Sequence, residues 1–351
     1  MPSLFRVRWA VFGCAFGLVL LLAAGAQGAE DPAREAREIA DATGIRGGLV
    51  VHVGCGDGRL TAALRASDAW IVHGLDTDAD DVAEARRHLR QRGLYGPVSV
   101  ERFDGRRLPY VENLVNLVVV EEAGEVAASE IRRVLAPGGA VCCKADGAWK
   151  RVDVKPRPEA MDEWTHYYHN ASGNAVSRDE LVAPCTRMRW TAGPRWARHH
   201  EHTSSVGAMV SAAGRVFTIM DEGPRLSIQL PADWKLIARD AFNGTLLWKR
   251  DIPEWYTHLY PLKAGPATLP RRLVAVGDRV YATLGIDAPV AVLDAATGET
   301  VRTLEGTERA EELIHSDGVL FVKIGRARER PDRFTWNDPV CWTVSNQAVN
   351  D

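Results

Sequence analysis

The chain has 351 residues, 46% hydrophobic and 25% charged, a globular balance that excludes wholesale disorder, collagen-like repeats and a multi-span membrane protein. With 43 Lys and Arg against 46 Asp and Glu the net charge is −3, so no summed basic field draws the chain to nucleic acid, and no nucleic-acid partner is expected. The length exceeds one ordinary domain and points to two.

In chain order, Arg6 and Arg8 precede an uncharged apolar run over 9–26, and the small residues Gly25, Ala26, Gly28 and Ala29 follow. That charged, apolar, small-residue order predicts that 1–29 is a signal peptide or, if uncleaved, a membrane anchor. The expected location is therefore exported (periplasmic or extracellular) or anchored through this segment. Cys14 sits inside the run and fits no lipoprotein cleavage site. The remaining cysteines, Cys55, Cys142, Cys143, Cys185 and Cys341, are odd in number and form no regular framework. Cys142 and Cys143 fall in an apolar strand, where neighbours point to opposite faces, and read as two free thiols.

Residues 31–150 alternate helix and strand. Helices are predicted over 32–43, 60–65, 79–92 and 127–134, and strands over 49–53, 71–75, 98–103, 114–120 and 140–144, with a turn at Pro137-Gly138-Gly139. Such alternation argues for a mostly parallel, doubly wound sheet, whose ligands sit outside the carboxyl ends of the strands. Residues 151–205 read as a linker rich in His and Trp. His166, His169, His199, His200 and His202 gather there beside Glu201. Imidazoles near a carboxylate can ligate zinc or copper, but no CxxC or HExxH accompanies them, and a hydrogen-bonded loop cluster is the reading adopted, with no metal.

Over 206–351 the rhythm becomes strand, turn, strand. The pairs Asn243-Gly244 and Thr297-Gly298 supply the left-handed backbone of tight hairpins, each between apolar strands. Three related segments recur around Val216, Val280 and Val319; the first interval is 64 residues and the second 39, so an insertion is expected in the first unit, over 224–234. Each unit reads as one blade of a β-propeller. Rings close with four to eight blades in the usual case, so three partial blades suggest a piece of a longer protein. Trp190, Trp196, Trp234, Trp248 and Trp255 are expected to pack between blades or fill their faces.

The sharpest constellation is Val50-Val51-His52-Val53-Gly54-Cys55-Gly56-Asp57-Gly58, a strand running through a glycine bend into a helix. Glycines there let a backbone approach a ligand, and the helix start offers N–H groups. Asp76 ends the next strand, where a carboxylate can accept from both ribose hydroxyls. Together these suggest an adenosine-containing ligand. Arg59 breaks the dinucleotide spacing, and no Gly-Lys-Ser/Thr follows, which excludes a P-loop.

From Leu49 to Lys144 the sequence resembles the class I S-adenosylmethionine-dependent methyltransferases, through the glycine bend, Gly74-Leu75-Asp76, Phe103-Asp104-Gly105 and Arg133-Val134-Leu135-Ala136-Pro137-Gly138-Gly139. The resemblance implies that Gly54, Gly56, Gly58, Asp76 and Asp104 contact S-adenosylmethionine. It implies methyl transfer to a small-molecule or protein acceptor that the sequence does not identify. No catalytic residue is assigned, because methyl transfer between bound partners relies largely on positioning. Glu121 or Glu122, after the fourth strand, reads either as a base toward an acceptor or as a solvated loop carboxylate. His52 stands where the family commonly has an acidic residue, and Asn116 where it commonly has Asp. The 120–127 connection is short, and no antiparallel strand pair is expected between strand five and Pro156. The methyl donor is made in the cytoplasm, in conflict with export unless the leader anchors an inward-facing domain.

Residues 209–323 resemble quinoprotein-type, pyrroloquinoline quinone-like propeller repeats, with Leu293-Asp294-Ala295-Ala296-Thr297-Gly298-Glu299 as a close instance. That likeness implies blade architecture, and no quinone is expected in this segment. Two other functions compete with methyl transfer. One is a noncatalytic exported propeller scaffold with a degenerate methyltransferase fold; the other is a fragment of a quinoprotein-type oxidoreductase.

Overall fold

A computed structural model describes residues 31–122, 124–182, 188–193, 205–226, 230–253, 255 and 268–325. The leader, His199, His200, Glu201, His202, Trp196, Cys185 and Cys341 lie outside the described residues. Among the described residues no helix is long and apolar enough to cross a membrane.

The first six strands are β1 (Gly48–Val53), β2 (Trp70–Asp76), β3 (Val98–Arg102), β4 (Val115–Val120), β5 (Leu135–Ala145) and β6 (Ala148–Val154). They form one sheet in the order β3-β2-β1-β4-β5-β6, parallel except for the antiparallel β6. The helices are α1 (Pro32–Thr43), α2 (Arg59–Ala63), α3 (Ala79–Gln91) and α4 (Ala128–Val134). Strands such as Val-Asn-Leu-Val-Val-Val are apolar on both faces because both faces are covered. On one face Val50, Val72, Leu117 and Val119 pack with Ile39 of α1 and Leu89 of α3. On the other, Val51, Val53, Leu75 and Val118 meet Ile131 of α4 and Leu108 of the helix-free loop between β3 and β4. Each fully buried side chain of this size contributes about 1.5–3 kcal/mol. Asp78 starts α3 by accepting from the N–H groups of Asp80 and Asp81.

Three details depart from the sequence reading. The turn expected at Pro137-Gly138-Gly139 is a bulge inside β5: Val115 pairs with Leu135, but Leu117 pairs with Ala140. One antiparallel strand, β6, does follow strand five, through an Asp146-Gly147 turn with φ of 54° and 75°. This sheet therefore runs past residue 150 to Val154. Its cue was present, since Asp-Gly between apolar runs is a hairpin signal.

The remaining strands are β7 (Val206–Ala212), β8 (Arg215–Asp221), β9 (Trp234–Asp240), β10 (Leu246–Ile252), β11 (Leu273–Val276), β12 (Arg279–Thr283), β13 (Val290–Asp294), β14 (Thr300–Leu304), β15 (Ala310–Ser316) and β16 (Val319–Ile324). They make two four-stranded antiparallel meanders, β7 to β10 and β11 to β14, and a hairpin, β15 with β16; the described residues contain no closed ring. Phe217, Ile219 and Leu236 of the first meander share a core with Leu273, Val280 and Leu293 of the second. The extra length of the first repeat is divided: residues 222–233 join β8 to β9, and the longer stretch 253–272 joins β10 to β11.

The two hairpin turns repeat one local structure. Asp240 accepts from the N–H groups of Phe242 and Asn243, and Asp294 from those of Ala296 and Thr297. Each turn glycine has φ 74° and carries an indole on its bare face: a Cβ on Gly244 would come within 2.6 Å of Trp190, and one on Gly298 within 2.6 Å of Trp248. Trp190 Nε1 donates to Ala241 O and Trp248 Nε1 to Ala295 O, both at 3.0 Å. An upstream tryptophan, from the linker for the first turn and from β10 for the second, thus locks onto each turn, and only glycine leaves it room.

The linker is not idle. Trp164, Thr165 and His166 bond in turn to the first strand of each successive sheet: Ser211 N–H donates to Trp164 O (2.7 Å), Ala275 N–H to Thr165 O (3.0 Å) and His315 N–H to His166 Nε2 (3.0 Å). At the amino end of β4, Asn116 joins the parallel sheet to the first meander. Its Nδ2 donates to Asp240 Oδ2 (2.6 Å), and its Oδ1 accepts from Leu49 N–H (2.8 Å) and from Asn243 Nδ2 (2.7 Å).

Candidate functional site

The order of the parallel sheet reverses at β1, which lies between β2 and β4, and ligands of such sheets bind outside the carboxyl ends of the strands at this reversal. The glycine bend rounds that point. Gly54 N–H and Cys55 N–H both donate to Leu75 O, at 2.9 and 3.3 Å, tying the bend to the end of β2. Its three glycines do separate work. A Cβ on Gly54 would meet the Glu122 backbone at 2.9 Å, and one on Gly58 would meet Ala85 of α3 at 2.7 Å, so these two permit close packing. Gly56, at φ 47°, faces nothing within 4 Å and forms the open floor of the crevice.

Asp76 is turned toward that floor. Its Oδ2 accepts from Gly56 N–H (2.9 Å) and its Oδ1 from Asp78 N–H (3.1 Å), which fixes the carboxylate plane beside the bend. The Phe103-Asp104-Gly105 loop lies alongside: Phe103 N–H donates to Asp76 O (3.0 Å), and a Cβ on Gly105 would sit 3.0 Å from Thr77. Asp104 Oδ1 accepts from Arg107 and Arg106 N–H, both at 2.8 Å, and these donors hold its exposed carboxyl below the usual range. The structure therefore brings Gly56 and Asp76 into direct contact and sets the Asp104 loop beside the end of β2, while Gly54 and Gly58 pack against Glu122 and Ala85.

The helix start is a weaker donor set than the sequence suggests. α2 is a little over one turn long, Gly56 N–H goes to Asp76, Gly58 N–H to Cys55 O (3.0 Å), and Arg59 N–H to Asp57 Oδ1 (3.0 Å). Cys55 is free and buried; burial first, and the Asp76 charge next, push its thiol up to about 12, so it is no nucleophile at neutral pH. Cys142 and Cys143 are also free, and burial raises both.

Sequence reasoning missed a pair beneath the bend. His52 is fully buried at the end of β1, with Nδ1 2.9 Å from the Thr61 hydroxyl and Nε2 3.3 Å from Glu121 Oε2. The second contact is an ion-pair distance rather than an aligned hydrogen bond. His52 holds the Glu121 carboxyl below its ordinary range, against the opposing effect of burial. The register pairs His52 with Val119, and Glu121, two residues on, falls on the same face. That partnership needs the strand order, which is why neither residue announced it alone. Glu122 is exposed. Farther along the same face, Glu35 of α1 accepts from Trp149 Nε1 (2.6 Å) and pairs with Lys144 (3.2 Å).

In the linker, both nitrogens of His166 are engaged, Nδ1 with Thr165 Oγ1 (2.7 Å) and Nε2 with His315 N–H, while His169 Nε2 meets Asp162 at 2.6 Å. Burial and the neighbouring imidazoles of His315 and His169 lower His166 to about 4. Burial alone would raise Asp162; N–H donors from Arg178 and Glu163, with His169 and Ser177, outweigh it and hold the carboxyl at about 2.

Residues 50–139 match a family model described as a methyltransferase domain. A tRNA (guanine-N(7)-)-methyltransferase of Thermus thermophilus is 39% identical over 79 residues, which are 22% of this chain and 24% of that enzyme, so the chain spans about a quarter of the relative's length. Among solved structures, an S-adenosyl-L-methionine-dependent methyltransferase assignment from Methanococcus maripaludis is 23% identical, covering 32% of this chain and 53% of that one at a TM-score of 0.30. A geranyl diphosphate C-methyltransferase from Streptomyces coelicolor is 20% identical, covering 31% and 44% at 0.29. The α/β half is thus a methyltransferase-like domain with a Rossmann-like sheet, joined to antiparallel sheets.

Proposed function

We propose that the α/β half binds S-adenosylmethionine and transfers its methyl group to a small-molecule or protein acceptor. The observation that carries this reading is Asp76, fixed by Gly56 N–H at the edge of an open glycine floor, where a ribose would lie. The residues fit the ligand: the floor is unobstructed at Gly56, and the carboxylate faces it. Asp76 would accept from the ribose hydroxyls, and the Asp104 loop would flank the base. When bound, S-adenosylmethionine supplies an electrophilic methyl on a sulfonium. The protein's part is to align that methyl with a nucleophile and exclude water, which positioning alone can do.

The meanders β7 to β10 and β11 to β14, with the β15–β16 hairpin, are on this reading the first blades of a pyrroloquinoline quinone-like propeller that serves as a scaffold. The indole-on-glycine contacts at Gly244 and Gly298 support it, since the same lock recurs at the turn of each four-stranded meander. The apolar leader supports export or anchoring of the whole. The tRNA named for the Thermus relative is not carried over, because net charge −3 provides no basic field. Calorimetric titration of the full chain with S-adenosylhomocysteine tests the reading. Micromolar binding, abolished by Asp76→Ala, is expected; no heat from the unaltered protein contradicts it and favours the noncatalytic scaffold.

A further inference from the structure

We propose that the cavity between the parallel sheet and the first meander binds a tetrahedral oxyanion, inorganic phosphate or a phosphate ester, between the guanidiniums of Arg46 and Arg215. This site lies at the amino end of the sheet and stands or falls apart from the nucleoside reading.

The cavity measures about 120 Å³. Pockets for organic ligands run from roughly 300 Å³ upward, so this one has room for a single small ion with its water and not for a nucleotide. Its walls come from both halves: Arg46 from the loop between α1 and β1, Asn116 from β4, Gly138 from the bulge of β5, Arg215 from the start of β8 and Asp240 from the end of β9. The two arginines outnumber the one acid in the lining, which leaves an excess of positive charge.

Asp240 is already engaged. Its Oδ1 accepts from the N–H groups of Phe242 and Asn243, at 2.8 and 2.9 Å, and its Oδ2 from Asn116 Nδ2 at 2.6 Å. The guanidiniums are not. Each carries five N–H donors in a planar fork. The Arg215 side chain is only 22% exposed, yet its one contact is a 3.5 Å approach to Asp278, at the far limit of a hydrogen bond. The Arg46 guanidinium makes no hydrogen bond among the described residues, and its nearest carboxylate, Asp41, is 3.6 Å away. Asp278 and Asp41 are both largely exposed, and ion pairs of that kind contribute little. Other half-buried arginines in this protein spend their donors on nearby oxygens: Arg133 on Glu130 and the carbonyls of Tyr110 and Leu108, Arg239 on those of Gly244 and Gly193. Arg46 and Arg215 keep theirs at the wall of a cavity.

The charges select the ion. A carboxylate offers one planar edge, which a single guanidinium satisfies bidentately. A phosphate offers oxygens on several sides and more than one charge, so it suits two cations from different walls. Bound there, it adds a bridge beside the Asn116, Asp240 and Asn243 contacts and favours the docked halves by mass action.

Equilibrium dialysis of the full chain against labelled inorganic phosphate, at constant ionic strength, is expected to show one saturable site. Arg215→Gln and Arg46→Gln are each expected to weaken it about tenfold, and Arg215→Lys, which keeps the charge but loses the fork, about threefold. Arg34→Gln, on the exposed side of α1, and Asp76→Ala, at the other end of the sheet, are expected to leave it unchanged. Arg46 is on an exposed loop, so its variant carries the test if Arg215→Gln does not fold. Methyl phosphate binding as tightly as the free ion supports an ester as the occupant, and weaker binding supports the free ion. No saturable binding, binding that survives both glutamine variants, loss of binding in Asp76→Ala, or acetate held as tightly as phosphate overturns the inference.

Discussion

The two ends of the parallel sheet are built from the same strands and do opposite things. At the carboxyl end, a Cβ on Gly56 would meet nothing within 4 Å, and the Asp76 carboxylate accepts from Gly56 N–H beside that open space. At the amino end, Asn116, Asp240 and Asn243 satisfy one another, and burial pushes the Asp240 carboxyl up while Asn116 and backbone donors pull it down. A crevice of about 120 Å³ remains there, lined by Arg46, Asn116, Arg215 and Asp240. On the proposed function the first end binds a ligand, whereas the second docks the parallel sheet onto the first meander. Changes at the first should alter nucleoside affinity, and changes at the second should alter stability.

The largest expected effect is Asp76→Ala, which should weaken S-adenosylhomocysteine by about a hundredfold or more while the chain stays folded, as read by calorimetry beside circular dichroism. Next, Trp248→Ala removes the indole seated on Gly298 and should cost about 3–5 kcal/mol in denaturant unfolding, with nucleoside affinity kept. Equal loss of affinity would break the separation between the meanders and the nucleoside site. Asn116→Ala leaves Asp240 without its side-chain donor and should cost about 1–3 kcal/mol, again without moving affinity.

The smallest effect concerns acid. His166 falls from 6.5 to about 4 on folding, so its contribution is complete above pH 6.5 and is lost as pH drops toward 4, where the unfolded chain takes the proton first. Asp162, held at about 2 against a usual 3.8, loses its contribution only below pH 3.8. His166→Gln should therefore flatten the stability decline between pH 6.5 and 4, and Asp162→Asn should act below that window.

Much of this layout could be read from the residues. The apolar runs gave the five parallel strands and the glycine bend, because a buried strand needs continuous hydrophobicity and a ligand bend needs freedom at φ. The Asp-x-x-Asn/Thr-Gly turns were equally clear, since their hydrogen bonds are local. What escaped depends on distant partners. Gly54 and Gly58 look like Gly56 in a motif, yet Glu122 and Ala85 decide their different roles. His52 with Glu121, and Asn116 with Asp240, meet only after strands pair and sheets dock. The missed β6 is another matter, because Asp146-Gly147 was a legible signal that the strand reading passed over.

The most direct measurement is a crystal structure of the full chain soaked with S-adenosylhomocysteine. The account predicts density against Gly56 with both ribose hydroxyls within hydrogen-bond distance of Asp76. An intact crystal with that crevice empty at saturating ligand, or with the nucleoside bound elsewhere, would contradict it.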